Sequence, residues 1–214
     1  MTPATLIERS EAILVDLDGT LVDSNGPVRR VWDEFAERQG LDTDAVMRFA
    51  HGRPSRESIR LLTPDASDSD HDAEAAALEA AEIDDTDGVF ALPGAAELLA
   101  GDRRLAIVTS CSTALARARL RAAGLPIPEV LVSSDGLERG KPDPACFQIA
   151  ARRLGVDPQR CVVLEDAPAG VLAGVRAGAT VIALRTTHDD DQLGDADAIV
   201  DDLASLVPVA SRIR

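Results

Sequence analysis

The stretch VDLDGTLVDS, residues 15–24, sets two carboxylates, Asp16 and Asp18, one residue apart at the end of the apolar run AILV, with Gly19 and Thr20 directly after them. Comparable polar sets follow three later apolar runs. RLAIVTS ends in the hydroxyl pair Thr109 and Ser110, EVLVSS leads through a loop to RGKPDP with Lys141, and RCVVLED ends in Glu165 and Asp166. Taken singly, each set also suits a helix cap or a turn. Together they supply two carboxylate clusters, a hydroxyl pair and an ammonium, complementary chemistry that four unrelated caps or turns would not share. Lys141 is the single lysine among 22 basic side chains. Its compact ammonium on a flexible stem is not equivalent to a planar guanidinium.

These groups can meet only if the runs that carry them lie side by side. AILVDL (12–17) reads as a short buried strand. From Pro27 the period becomes helical, with Val28, Val31, Trp32, Phe35 and Ala36 at spacings of three and four, and helix-like pieces follow at 42–50, 55–62 and 72–82. Residues 65–87 are rich in acids and hold no Lys or Arg, which reads as a solvated face with a loop. From LPGAAELLAG onward, strands and helices alternate. RLAIVTS, EVLVSS, RCVVLED, ATVIAL and the short ADAIV are strand-like. STALARARLRAAG, DPACFQIAARRLG and APAGVLAGVRAG are helical, each closed by a glycine.

Such alternation implies an α/β fold, a Rossmann-like doubly wound parallel sheet covered on both faces. The expected core is 1–22 plus 91–214, with a helical piece, 23–90, inserted after the first strand and sized to act as a lid. In open parallel sheets ligands bind beyond the carboxyl ends of the strands, where all four polar sets fall.

Composition narrows the partners. Apolar residues make up 45% of the 214, and the net charge is −15. That field opposes nucleic acid, whose binding needs clustered Lys and Arg, so an anionic ligand would require local positive charge at its site. No apolar run reaches the roughly 18–20 residues that span a membrane. MTPATLIERSEA lacks the basic and apolar regions of a secretory leader, so the expected location is the cytoplasm. Cys111, Cys146 and Cys161 are odd in number and far apart, as reduced thiols would be.

In this order and spacing, DLDGTLVDS, VTS, GKPDP and LEDAPAG resemble the haloacid dehalogenase superfamily of aspartate-dependent phosphohydrolases, with the insert in the place of that family's small helical cap. HGRPSRESI, LPGA and EDAPAG resemble its sugar- and polyol-phosphate phosphatases, including the glycerol-phosphate and 2-deoxyglucose-phosphate types. The resemblance implies Asp16 as a nucleophile that carries the phosphoryl group, and Asp18 as the general acid and then base. It implies Mg²⁺ held by Asp16, the Asp18 carbonyl and Asp166, with Glu165 bound directly or through water. Gly19, Thr20, Thr109, Ser110 and Lys141 would bind the phosphate, with either hydroxyl of the Thr109–Ser110 pair as the main donor.

In the cap, His51, Gly52, Arg53, Ser55, Arg56 and Glu57 are the candidates for reading the rest of a small phosphorylated metabolite. The family's phosphohexomutases carry a histidine twelve positions after the nucleophile, where this chain has Val28. The family's dehalogenases need no second aspartate at the position of Asp18. A non-catalytic module on the same scaffold would be expected to lose a motif. The expected state is a monomer, with a homodimer as the alternative. Cys111 follows the hydroxyl pair, so alkylating it is expected to slow turnover unless phosphate or substrate protects it. An unchanged rate after complete alkylation would show that the thiol lies elsewhere.

Overall fold

The computed structural model describes residues 1–50 and 55–206. The chain runs through α1 (Pro3–Arg9), β1 (Ala12–Val15), β2 (Val22–Asp23), α2 (Asn25–Gln39), α3 (Thr43–Ala50), α4 (Ser55–Leu62), α5 (Asp68–Asp84), β3 (Phe90–Ala91) and α6 (Ala95–Leu99). It continues through β4 (Arg104–Val108), α7 (Thr113–Ala122), β5 (Val130–Val132), α8 (Ala145–Leu154), β6 (Cys161–Glu165), α9 (Pro168–Ala177), β7 (Thr180–Leu184) and β8 (Ala198–Val200).

Six strands form one parallel sheet in the order β5-β4-β1-β6-β7-β8. From β1 the chain winds outward through β4 to β5, then returns to the other side of β1 for β6, β7 and β8. Ligand crevices open where the strand order reverses in this way. Register does the rest. Val15 lies opposite both Ile107 and Leu164, so the next residues along the three central strands, Asp16, Val108 and Glu165, emerge at one level.

Alternation along each strand feeds two cores, as the pleat requires. Ile13, Val15, Ile107, Val162, Leu164 and Ile182 pack on the face covered by α1, α6 and α7. Ala12, Leu14, Ala106, Val163, Val181 and Ala183 pack on the face covered by α8 and α9. The second face is lined with small side chains, so the helices sit close. At Gly174, an added Cβ would stand 2.8 Å from Val181 Cγ2.

The helices α2 to α5 share a separate cluster of Val31, Trp32, Phe35, Ala36, Val46, Ala50, Ile59 and Leu78. Trp32 and Phe35 meet edge to face, with centroids 5.4 Å apart. The chain leaves for these helices and returns from them through an antiparallel ribbon, Val22 opposite Ala91 and Asp23 opposite Phe90.

Three features differ from the sequence expectation. The helix α1 and the two-residue strands β2 and β3 are too short to show a period. The helix α5 begins four residues earlier than expected, because Ser67 and Asp70 form a reciprocal capping box. Its acid-rich sequence is also not simply a solvated face, since His71, Leu78 and Glu82 are buried on one helical stripe. Among the described residues, no helix is long and apolar enough to cross a membrane.

Gly94, in LPGA, has φ +87° and a site where a Cβ would meet Ala204 N at 2.4 Å. The obstacle is backbone, which cannot rotate away. Gly94→Ala is expected to lower the unfolding free energy by at least ~2 kcal/mol, from left-handed strain and overpacking together. Urea denaturation measures it, and a smaller loss would show that the segment around Ala204 yields.

Candidate active site

The site grows from the end of β1. Asp16 donates its N–H to Leu164 O at 3.0 Å, which ties it to β6, and its carboxylate is buried. Lys141 Nζ donates to Asp16 Oδ1, to Glu165 Oε1 at 2.7 Å and to Val108 O at 3.1 Å. One ammonium thus joins groups from all three central strands. Burial alone would pull the Lys141 ammonium down, but Asp16 and Glu165 hold it above its ordinary value. Burial pushes the Asp16 carboxyl up, Lys141 opposes that, and Glu165 and Asp166 add to it.

Glu165 is spent on both sides. Its Oε2 accepts the N–H groups of Asp166 and Ala167 at 2.8 Å each, at the start of α9. Gly170 makes room for this, since a Cβ there would stand 1.6 Å from Glu165 Oε1. Asp166 Oδ1 accepts from Thr20 Oγ1 at 2.9 Å and Oδ2 from Thr187 Oγ1. Burial first, then Glu165, pushes the Asp166 carboxyl up to about 7. Gly19, at φ +82°, lets the turn pass against this carboxylate, because a Cβ would stand 2.2 Å from Asp166 Oδ2.

Asp18 points elsewhere than Asp16. Its Oδ1 accepts from Ser24 Oγ at 2.8 Å, and its Oδ2 pairs with Arg119 Nη1 at 2.7 Å.

A cavity of about 330 Å³ opens over these groups. Asp16, Asp18, Gly19, Thr109, Ser110, Lys141, Glu165 and Asp166 line its floor, and Val28, Trp32, Met47, Ser55, Arg56 and Glu79 form the wall from the helices. The predicted set therefore converges, with exceptions. Thr20 is not at the cavity. Its side chain is fully buried and its hydroxyl holds Asp166, so the expected phosphate contact is replaced by one to a carboxylate. His51, Gly52 and Arg53 lie outside the described residues. Arg56 lines the cavity but pairs with Asp72 and, at 3.9 Å, with Asp68, so its charge is answered within the helices. Glu57 is exposed on α4.

Of the hydroxyl pair, Thr109 Oγ1 stands 3.0 Å from Cys111 Sγ and accepts the Cys111 N–H at 3.2 Å. The Ser110 hydroxyl enters no hydrogen bond among the described residues. Cys111 does line the cavity. Burial and then Asp18 push its thiol pKa up, the direction that disfavours the reactive thiolate.

Four contributors escaped the sequence expectation. Ser24 immediately precedes α2, and Arg119 lies within α7. Thr187 and His188 follow β7, and His188 Nδ1 lies 3.1 Å from Asp166 O. The pattern of a polar set after an apolar strand was present there as well.

Residues 11–178 match the haloacid dehalogenase-like hydrolase family. Hexitol phosphatase A of Escherichia coli is 44% identical over 92% of this chain and 94% of its own length. The 2-deoxyglucose-6-phosphate phosphatase 1 of Saccharomyces cerevisiae is 30% identical over 92% of this chain and 89% of its own. A hydrolase from Pseudomonas syringae superposes with a TM-score of 0.81 at 26% identity, covering 92% of this chain and 96% of that one. The chain belongs to the haloacid dehalogenase-like hydrolases and is a phosphatase of that family.

Removing a partner from a buried ion pair leaves an uncompensated charge, typically at a cost of about 3–5 kcal/mol. Lys141→Met is expected to destabilise the fold by ~3 kcal/mol on that ground, measured by urea denaturation. An unaltered midpoint would mean that Asp16 and Glu165 do not depend on the ammonium.

Proposed function

We propose that the protein is a Mg²⁺-dependent phosphomonoester hydrolase acting on a small sugar or polyol phosphate through an aspartyl-phosphate on Asp16. The observation that carries this reading is the Asp16 carboxylate held by Lys141 on the cavity floor, with Asp18 two positions on and separately anchored. The 44% identity to a hexitol phosphatase supports the substrate class.

The charge of the floor and the nature of its donors suit a hard divalent cation. Asp16, Glu165 and Asp166 are all buried, and a single ammonium answers three carboxylates. All donors are oxygen, the preference of Mg²⁺. No three acidic, histidine or cysteine side chains among the described residues are already gathered around one cation position, so the fit is one of charge and donor type. Asp16, Asp166 and the Asp18 carbonyl would hold the ion. Both Glu165 oxygens are engaged elsewhere, so Glu165 contributes through Lys141 or a water. When bound, Mg²⁺ would supply charge that offsets repulsion between Asp16 and the phosphate.

The chain's own groups account for the steps. An Asp16 oxygen attacks phosphorus as the P–O bond to the leaving alkoxide breaks, and Asp18 delivers its proton to that oxygen. Asp18, now a carboxylate, takes a proton from water as the water oxygen attacks phosphorus. The bond from phosphorus to Asp16 breaks, releasing inorganic phosphate. Lys141 and the hydroxyls of Thr109 and Ser110 stabilise charge on the transferring group.

The helices α2 to α5 act as the cap in this reading, closing a floor that solvent would otherwise flood. The bounds 1–22, 91–214 and 23–90 fit the ribbon of β2 and β3 as the junction. Val28 puts an isopropyl group in the cavity wall at the position of the mutase histidine, which favours hydrolysis over transfer to a second hydroxyl.

The test is phosphate release from hexitol, glycerol, hexose and aryl monophosphates, with Mg²⁺, with EDTA and for Asp16→Asn. Activity is expected to need both the cation and Asp16, falling by at least about 10³-fold without the nucleophile, and to rank polyol or sugar monophosphates first. Folded protein that releases phosphate from none of them would end this reading.

A further inference from the structure

Arg119 is not a surface base on a helix. It is 5% exposed, and its two terminal nitrogens go to different parts of the molecule. Nη1 meets Asp18 Oδ2 at 2.7 Å, and Nη2 donates to Glu82 Oε2 at 2.5 Å. Asp18 belongs to the turn after β1, whereas Glu82 is 6% exposed on α5 among the four helices over the cavity. Beside this bridge, Ser112 Oγ, the cap of α7, donates to Glu79 Oε1, one turn earlier on α5.

A tether between α5 and α7 would need only the Glu82 contact. A buried ion pair is in any case a weak source of stability, since desolvation offsets most of its attraction. The second branch of the guanidinium needs its own explanation. Arginine's planar fork holds two donors at a fixed angle, so seating one on Glu82 sets the direction of the other. Glu82 also answers the guanidinium's charge, so the arrangement gives Asp18 a direction without leaving a net cation beside it. Ser24 Oγ fixes the other oxygen of Asp18 at 2.8 Å.

We infer that Arg119 is a positioning residue for Asp18, and that Glu82 makes this positioning depend on α5 being seated over the cavity. The inference rests on Asp18 as the proton donor to the leaving oxygen. With α5 in place, Nη2 is held and Nη1 aims Asp18 into the cavity. With α5 lifted, Arg119 keeps a partner but loses its fixed angle. Proton delivery is then tuned to the covered site, where water is excluded.

Leaving groups separate this role from a merely structural one. A polyol monophosphate releases an alkoxide that needs a proton, whereas 2,4-dinitrophenyl phosphate releases a stable phenolate that does not. Values of kcat/KM report the step up to phosphorylation of Asp16, before water enters. Asp18→Asn sets the scale, with an expected loss on the polyol ester of about 10²–10⁴-fold and little on the aryl ester. Glu82→Gln keeps the size of the side chain and Arg119→Lys keeps the charge, so both are suited to fold, which circular dichroism checks. Each is expected to lose about 10-fold or more on the polyol ester, a fraction of the full general-acid effect, with the aryl ester nearly unchanged. Equal losses on both esters, or none on either, while Asp18→Asn stays selective, would overturn the inference alone. An Asp18→Asn variant with no selectivity would overturn the proton-donor reading and the inference with it.

Discussion

The structure depends on the placement of one ammonium among buried carboxylates. Lys141 reaches Asp16, Glu165 and the Val108 carbonyl, one group from each central strand. Like charges gathered at a sheet edge would otherwise repel one another in a medium that screens them poorly. With the ammonium in place, the Asp16 carboxylate is held in a fixed position at the cavity floor. Glu165 is the relay that makes this geometry rigid, since its far oxygen is bound to two backbone N–H groups at the start of α9. Gly170 is needed only because that carboxylate occupies the space a side chain would take.

Asp166 and Asp18 are held by different means. Hydroxyls of Thr20 and Thr187 fix Asp166, donors that carry no charge of their own. A guanidinium and a hydroxyl fix Asp18, and the guanidinium extends to the helices above. Two aspartates separated by one residue thus acquire different neighbours. Their charges are answered by separate partners, Lys141 for Asp16 and Arg119 for Asp18.

Wall and floor divide the chemistry. The floor is charged and oxygen-rich. The wall from α2 to α5 mixes apolar Val28, Trp32 and Met47 with Glu79, and Arg56 there is already paired with acids of α5. A wall of that kind is suited to a neutral, hydroxylated body attached to a single phosphate, in keeping with a polyol or sugar monophosphate.

Much of this was legible in the sequence. Strands announce themselves by short apolar runs, and Asp16, Lys141 and Asp166 by the polar sets that follow them, because strand ends are where a parallel sheet exposes functional groups. The acid-rich stripe of α5 carried a helical period as well, with His71, Leu78 and Glu82 on one face, although its charge suggested solvent. Tertiary structure alone decided the strand order, the turning of Thr20 away from the cavity, and the joining of Arg119 to Asp18 and Glu82. Those outcomes arise from residues far apart in the chain that meet only when the sheet and helices pack. A side chain's partner is set by that packing, whereas its chemical type and local period are set by the sequence around it.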